Sequence, residues 1–244
     1  MNILFSLQKP SNMSPYEALQ NKFGATLEFN PFFLVEPLSA KEFRAERINL
    51  PDYTAIVFSS RYAIDAYFQL CEAMRFKVPE TMKYFCTTEA VAMYLQKHIV
   101  YRKRKIFYGA GTPESVVALV TAKHKGEKFL IAMTGKESAE PFTALFAAAK
   151  LNYTVGVLVK AVSQDLHSLD LASYDMIVLY NPNDVVSLYE NFPDFKQGDI
   201  KFVSFGKNIV NAMEEAGLKI EVKAPTPEAS SAARAIELYL QNGK

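Results

Sequence analysis

Short apolar runs recur along the chain, and most lead into a stretch compatible with a helix. Ile3–Leu7, Thr54–Ser59, Lys83–Cys86, Lys105–Tyr108, Lys128–Met133, Asp175–Tyr180, Lys201–Phe205 and Lys219–Lys223 are rich in β-branched and aromatic residues and predict strands. Two further apolar runs, Thr26–Leu34 and Tyr153–Val159, predict strands of the same kind. The segments between them predict helices over Pro15–Phe23, Ala63–Ala73, Glu89–Lys97, Pro113–Lys123, Pro141–Lys150, Val185–Asn191, Ile209–Ala216 and Pro227–Gln241. Continuous apolar strands alternating with helices are the pattern of a parallel sheet covered on both faces.

The pattern is written twice. "KIFYGAGTPES" at 105–115 returns as "KIEVKAPTPEA" at 219–229. "YTAIVFSSRYAIDAYF" at 53–68 matches "YDMIVLYNPNDVVSLY" at 174–189, and "KYFCTTEAVAMYL" at 83–95 matches "KFVSFGKNIVNAM" at 201–213. Identities are few, but the order is kept and the offset is nearly constant. Five strands per half predict two doubly wound α/β domains. The sequence places the cut near Gly126; it does not exclude an exchange in which the first strands of one half complete the other half's sheet. The repeated Thr-Pro-Glu reads as a helix start, with Thr112 and Thr226 as caps, Pro113 and Pro227 in the first turn, and Glu114 and Glu228 at the positive helix end.

Composition narrows the class. With 27 basic and 26 acidic residues the net charge is +1, which argues against a nucleic-acid binder. No apolar run approaches the roughly 20 residues of a membrane span, and the first residues do not read as a signal peptide. Cys71 and Cys86 make no disulfide framework, and His98, His124 and His167 do not cluster with them. The expectation is a cytoplasmic protein without a structural metal.

Ligands of open parallel sheets bind outside the carboxyl ends of the strands, where helix N-termini also offer N–H groups to anions. That rule selects four polar loops: Ser59-Ser60-Arg61-Tyr62, Thr87-Thr88-Glu89, Tyr180-Asn181-Pro182-Asn183 and Gly206-Lys207-Asn208. The plain reading of Ser60, Thr88, Asn183 and Asn208 is as helix caps; Arg61 and Lys207 add cations where an anion would rest. Arg102-Lys103-Arg104-Lys105 reads as a solvated strand entry. Glycine-rich phosphate loops, a nucleophile elbow and a zinc-type HExxH are all missing, so any chemistry rests on binding and orientation.

These loops resemble those of the uroporphyrinogen-III synthase family. The family's Thr-Ser-x-x-Ala-Val turn is matched by Ser59-Ser60-Arg61-Tyr62-Ala63-Ile64, and its Ser-Pro-Ser-Gly-like turn by Asn181-Pro182-Asn183-Asp184. Its Ile-Gly-Pro-Thr-Thr-like turn is matched by Phe205-Gly206-Lys207-Asn208-Ile209, followed by Ala216-Gly217-Leu218, and its closing Pro-x-Pro by Pro225-Thr226-Pro227. The resemblance implies two flavodoxin-like domains of five strands, 1–34 plus 167–244 and 35–166, joined by a two-stranded extended linker near 33–38 and 159–167, with a cleft between them. It implies a cyclising lyase of haem biosynthesis, which closes hydroxymethylbilane with inversion of the terminal pyrrole ring and loss of water, and needs no cofactor. The implied substrate-binding residues are Ser59, Ser60, Arg61, Thr87, Thr88, Asn181, Asn183, Lys207 and Asn208. The position of a tyrosine proposed to assist hydroxyl loss in the family falls at Val159, so no catalytic residue is assigned; Tyr62 and Tyr180 are the nearby phenols. The expected partner is the tetrapyrrole substrate, bound by a monomer in transient contact with hydroxymethylbilane synthase. The alternative is a chain of this fold that binds a tetrapyrrole or another polyanion without turnover.

Overall fold

The computed structural model describes residues 1–243, with 136–138 described by their backbone alone. In chain order its elements begin with β1 (Asn2–Phe5), α1 (Glu17–Phe23), β2 (Thr26–Phe29), β3 (Phe33–Pro37), α2 (Ala40–Ala45), β4 (Ala55–Phe58) and α3 (Arg61–Ala73). They continue with β5 (Lys83–Cys86), α4 (Glu89–Tyr94), β6 (Ile106–Tyr108), α5 (Pro113–Lys123), β7 (Lys128–Met133), α6 (Lys136–Ala148) and β8 (Asn152–Val157). The last are β9 (Val159–Ser163), β10 (Met176–Leu179), α7 (Pro182–Asn191), β11 (Lys201–Phe205), α8 (Lys207–Glu215), β12 (Ile220–Ala224) and α9 (Ala232–Asn242).

The chain divides into two compact units: Met1–Leu34 with the chain from Ala161 onward, and Val35–Lys160. The first holds a sheet in the order β12-β11-β10-β1-β2, the second a sheet in the order β6-β5-β4-β7-β8. All the pairings within both sheets are parallel. β3 and β9 pair with each other where the chain crosses between the units. Within its own sheet, β1-α1-β2 holds the place that β7-α6-β8 holds in the other. Gly126 lies inside the second unit, in the turn between α5 and β7.

Both sheets are apolar on both faces, as the unbroken runs require. In the first unit Leu4, Ile177, Leu179 and Phe202 pack on one side, while Ile3, Phe5, Met176, Val178 and Val203 pack on the other. In the second unit Ile56, Phe58, Tyr84 and Leu130 face one layer, and Val57, Phe85, Phe129 and Ile131 the other. Each such side chain contributes about 1.5–3 kcal/mol by leaving water. Cys71 and Cys86 are buried free thiols, and desolvation pushes them up to about 11 and about 12 respectively. Among the described residues no helix is long and apolar enough to cross a membrane.

Four predicted elements differ, one of them the run Tyr153–Val159, which breaks at Leu158 between β8 and β9. The run Thr26–Leu34 splits into β2 and β3, because Pro31 has no N–H to pair and Phe32 turns fully into the core. α6 begins at Lys136, before Pro141, and carries that proline inside it at the loss of one helical hydrogen bond. The second Thr-Pro-Glu is not a helix start: Thr226 and Ala229 exchange backbone hydrogen bonds across a turn, and α9 begins at Ala232, capped by Ser231. Thr226, Pro227 and Glu228 therefore have none of the capping roles read from the sequence, whereas Thr112 and Pro113 have theirs at α5.

Candidate active site

In the second unit, the carboxyl ends of β4 and β5 gather five of the selected residues. Ser60 caps α3, its Oγ accepting the Ala63 N–H at 3.1 Å, and Thr88 caps α4, accepting the Val91 N–H at 3.3 Å. Ser59 Oγ lies 3.1 Å from Met133 Sδ at the end of the neighbouring β7. Thr87 is buried and ties the loops together: its N–H donates to Phe58 O, its Oγ1 to Ser59 O at 3.3 Å, and its own carbonyl accepts from Gly111 N–H at 2.8 Å. Arg61 is exposed at the first position of α3, its guanidinium 5.4 Å above the Tyr94 ring. Tyr94 donates its hydroxyl to Asp65, which also accepts from Lys97 and pairs with His98. Tyr62 follows Arg61 with its side chain largely in solvent.

In the first unit, the carboxyl ends of β10 and β11 carry the other four. Asn181, not Asn183, caps α7: its Oδ1 accepts from both the N–H and the Nδ2 of Asn183, at 3.0 Å each. α8 has no side-chain cap; it starts after Gly206, whose φ of 118° lies where a side chain is strained, and Lys207 and Asn208 stand exposed on its first turn. Ile209 and Val159 are both buried in apolar clusters. Tyr180 is half-buried against Phe205 and hydrogen-bonded to Tyr16, and burial raises the pKa of both phenols.

One residue at this end escaped the sequence reading. Asp184 is fully buried, and its Oδ2 accepts from Tyr180 N–H (2.8 Å), Asn181 N–H (2.9 Å) and Ser6 Oγ (2.8 Å). Its Oδ1 has no hydrogen-bond partner among the described residues. Desolvation raises its pKa against the pull of those donors. The spacing Asn181-x-x-Asp184 is a capping-box signal legible in the sequence; the burial is not. A cavity of about 810 Å³ in the first unit, lined by Tyr174, Phe192 and Phe195 among others, lies where the chain enters β10 and β11, at the end of the sheet opposite these loops.

Comparison with known proteins bears on this arrangement. A family model described as uroporphyrinogen-III synthase HemD matches residues 14–234. The chain is similar in structure to uroporphyrinogen-III synthetase from Helicobacter pylori, with a TM-score of 0.56, 14% identity and 99% of each chain covered. It is also similar to a mutant uroporphyrinogen III synthase from the extremely thermophilic bacterium Thermus thermophilus, with a TM-score of 0.50, 15% identity and 99% of each chain covered. No curated protein matches it by sequence.

Proposed function

The chain belongs to the uroporphyrinogen-III synthase family, and we propose that it carries out that family's reaction with the loops at the carboxyl ends of its strands. The function is the closure of hydroxymethylbilane to uroporphyrinogen III in haem biosynthesis, a cyclising lyase reaction. Water leaves one end of the linear tetrapyrrole. The resulting cation attacks the far pyrrole ring through a spiro intermediate, the ring inverts, and the macrocycle closes.

The residues suit such a substrate. It bears eight carboxylates and supplies its own electronics, so the chain's work is to bind and orient. Ser60 with the first amides of α3 offers donors to carboxylates at a positive helix end. Arg61 and Lys207 offer cations, and Ser59, Thr87, Thr88, Asn181, Asn183 and Asn208 offer hydroxyl and amide groups. Val159 places no phenol in the linker strand; of Tyr62 and Tyr180, Tyr62 has the more exposed ring. A monomer working in the cytoplasm and receiving hydroxymethylbilane in transient contact with its synthase completes the proposal.

The observation that carries the residue assignment is that the four selected loops all fall at carboxyl ends of parallel strands, as a doubly wound ligand site requires. The test is a coupled assay: hydroxymethylbilane is made by its own synthase, this protein is added, and the oxidised isomers are separated. Type III product is expected. Type I alone would leave a tetrapyrrole-binding chain without turnover, the reading favoured by the apolar burial of Val159 and Ile209. For the residues, the Ser60→Ala, Lys207→Ala double variant should raise KM about tenfold or more while costing the fold only the about 1 kcal/mol of the lost α3 cap. An unchanged KM would remove these loops from the site.

A further inference from the structure

α3 and α7 hold corresponding places in the repeat, after β4 and after β10, yet their first turns are built for opposite tasks. α3 starts Ser60-Arg61-Tyr62-Ala63, with no acid in its first turn and a cation at its first position. α7 starts Asn181-Pro182-Asn183-Asp184. Its backbone donors can be accounted for one by one. Tyr180 and Asn181 give their N–H groups to Asp184 Oδ2. Pro182 has none, Asn183 gives its own to Asn181 Oδ1, and Asp184 gives its own to Asn181 O. Every amide from 180 to 184 is spent within the chain, at the end of a helix that would otherwise attract anions.

The acceptor responsible is enclosed. Ser6, at the end of β1, donates a third hydrogen bond to the same oxygen, and Asp184 has no exposed surface. A carboxylate that only closes a capping box has no need of this. Glu42 closes one with Ser39 at the start of α2 while staying partly open to solvent. All three donors fall on one oxygen, and the other is buried without a hydrogen-bond partner among the described residues, so the carboxylate serves those donors at a desolvation cost.

We propose that Asp184 is a specificity-determining residue: its carboxylate occupies, from within the chain, the amides that the β10–α7 loop would otherwise offer to a carboxylate of the substrate. The α7 loop then meets uncharged parts of the substrate. Asn183 has given its Nδ2 to Asn181, so its Oδ1 is the atom left to accept, for instance from a pyrrole N–H. Anchoring of carboxylates falls to the start of α3 and to the cations. The proposal rests on the tetrapyrrole reading for the identity of the ligand, but the closure of α7 to anions stands or falls separately.

The test is two-dimensional amide NMR of the full chain titrated with succinate, which carries carboxylates of the substrate's kind. In the wild type the amides of Arg61 and Tyr62 should shift and those of Tyr180 and Asn181 should not. In Asp184→Ala, which installs the residue that Ala63 is at the counterpart position of α3, the Tyr180 and Asn181 amides should gain a saturable response to succinate. Asp184→Asn, which keeps an acceptor oxygen, should stay silent there. Asp184→Ser serves in place of Asp184→Ala if the latter does not fold. A wild-type response at Tyr180 and Asn181, or silence there in both the Ala and Ser variants, would overturn the proposal. Silence at Arg61 and Tyr62 together with a gained response at α7 would uphold it and count against the assignment of the α3 loop.

Discussion

The two copies of Lys-Ile…Thr-Pro-Glu share their words and not their structure. In the first, β6 ends at Tyr108, the chain turns through Gly109-Ala110-Gly111, and Thr112 caps α5. In the second, β12 runs on to Ala224 and the helix waits for Ser231. The residues that differ explain this. Gly111 sits at φ +97°, and its counterpart Pro225 is held near −65° by its ring, so the same approach to the helix is barred. Ser115 receives the Ala110 N–H at 2.9 Å and donates to Thr112 O at 2.6 Å, which locks the turn; its counterpart Ala229 has no hydroxyl to do so. A cap signal is thus insufficient. The chain before it has to be able to turn into the helix, and a competing cap a few residues later takes over when it cannot.

The comparison can be broken most severely at Gly111. Gly111→Pro imposes the second copy's backbone on the first and should destabilise the second unit by about 3 kcal/mol in urea unfolding. A built Cβ meets nothing nearer than Thr88 Cγ2 at 3.9 Å, so a loss would report backbone strain and the lost Gly111 N–H bond to Thr87 O, and not crowding. Next, Ser115→Ala makes the first copy resemble the second at its lock, and should cost about 1–2 kcal/mol. Stability unchanged within about 0.5 kcal/mol would remove Ser115 from the explanation. The finest discrimination is between caps. Thr112→Ala and Ser231→Ala should each cost about 1 kcal/mol, and Thr226→Ala less than about 0.5. Equal losses at Thr112 and Thr226 would mean that the second Thr-Pro-Glu caps a helix after all.

The smallest effect concerns the two capping boxes, one exposed and one buried. The Lys160 ammonium and the Ser39 donors hold Glu42 at about 2, so what it adds to stability is present above the ordinary carboxyl pKa and is lost as the pH falls towards that value. Burial raises Asp184, so its contribution is fully present below the ordinary value and is lost as the pH rises through the folded one. Melting curves of Glu42→Gln and Asp184→Asn against the wild type, from about pH 2 to about pH 7, should therefore diverge in opposite senses. Parallel curves would show that the environments of the two acids do not differ as described.

Much of the candidate site was legible, because it follows from topology. Polar loops after parallel strands stand where helix starts gather, and Ser59–Arg61, Thr87–Thr88, Asn181–Asn183 and Lys207–Asn208 could be named from that rule alone. Their individual roles were less legible. Asn183 and Asn208 read as caps, but Asn181 and Gly206 hold those positions, because the choice turns on a single residue's φ and ψ. Asp184 was hidden for another reason: it looks like any acid in a first turn, and only the packing of β1 beside β10 brings Ser6 onto it and closes the solvent out.

By itself the sequence determined the elements, their twofold repetition and the parallel character of both sheets, since each of these rests on local apolar pattern. It did not determine which sheet the first β-α-β belongs to. β1 is apolar on both faces and fits the open edge of either half, and edge choice depends on partners more than a hundred residues away in the chain. The tertiary structure made that decision by pairing Ile3 with Met176 and Leu4 with Ile177. With it came the burial of Asp184, whose carboxylate gains from Ser6 a donor that the chain order keeps far away.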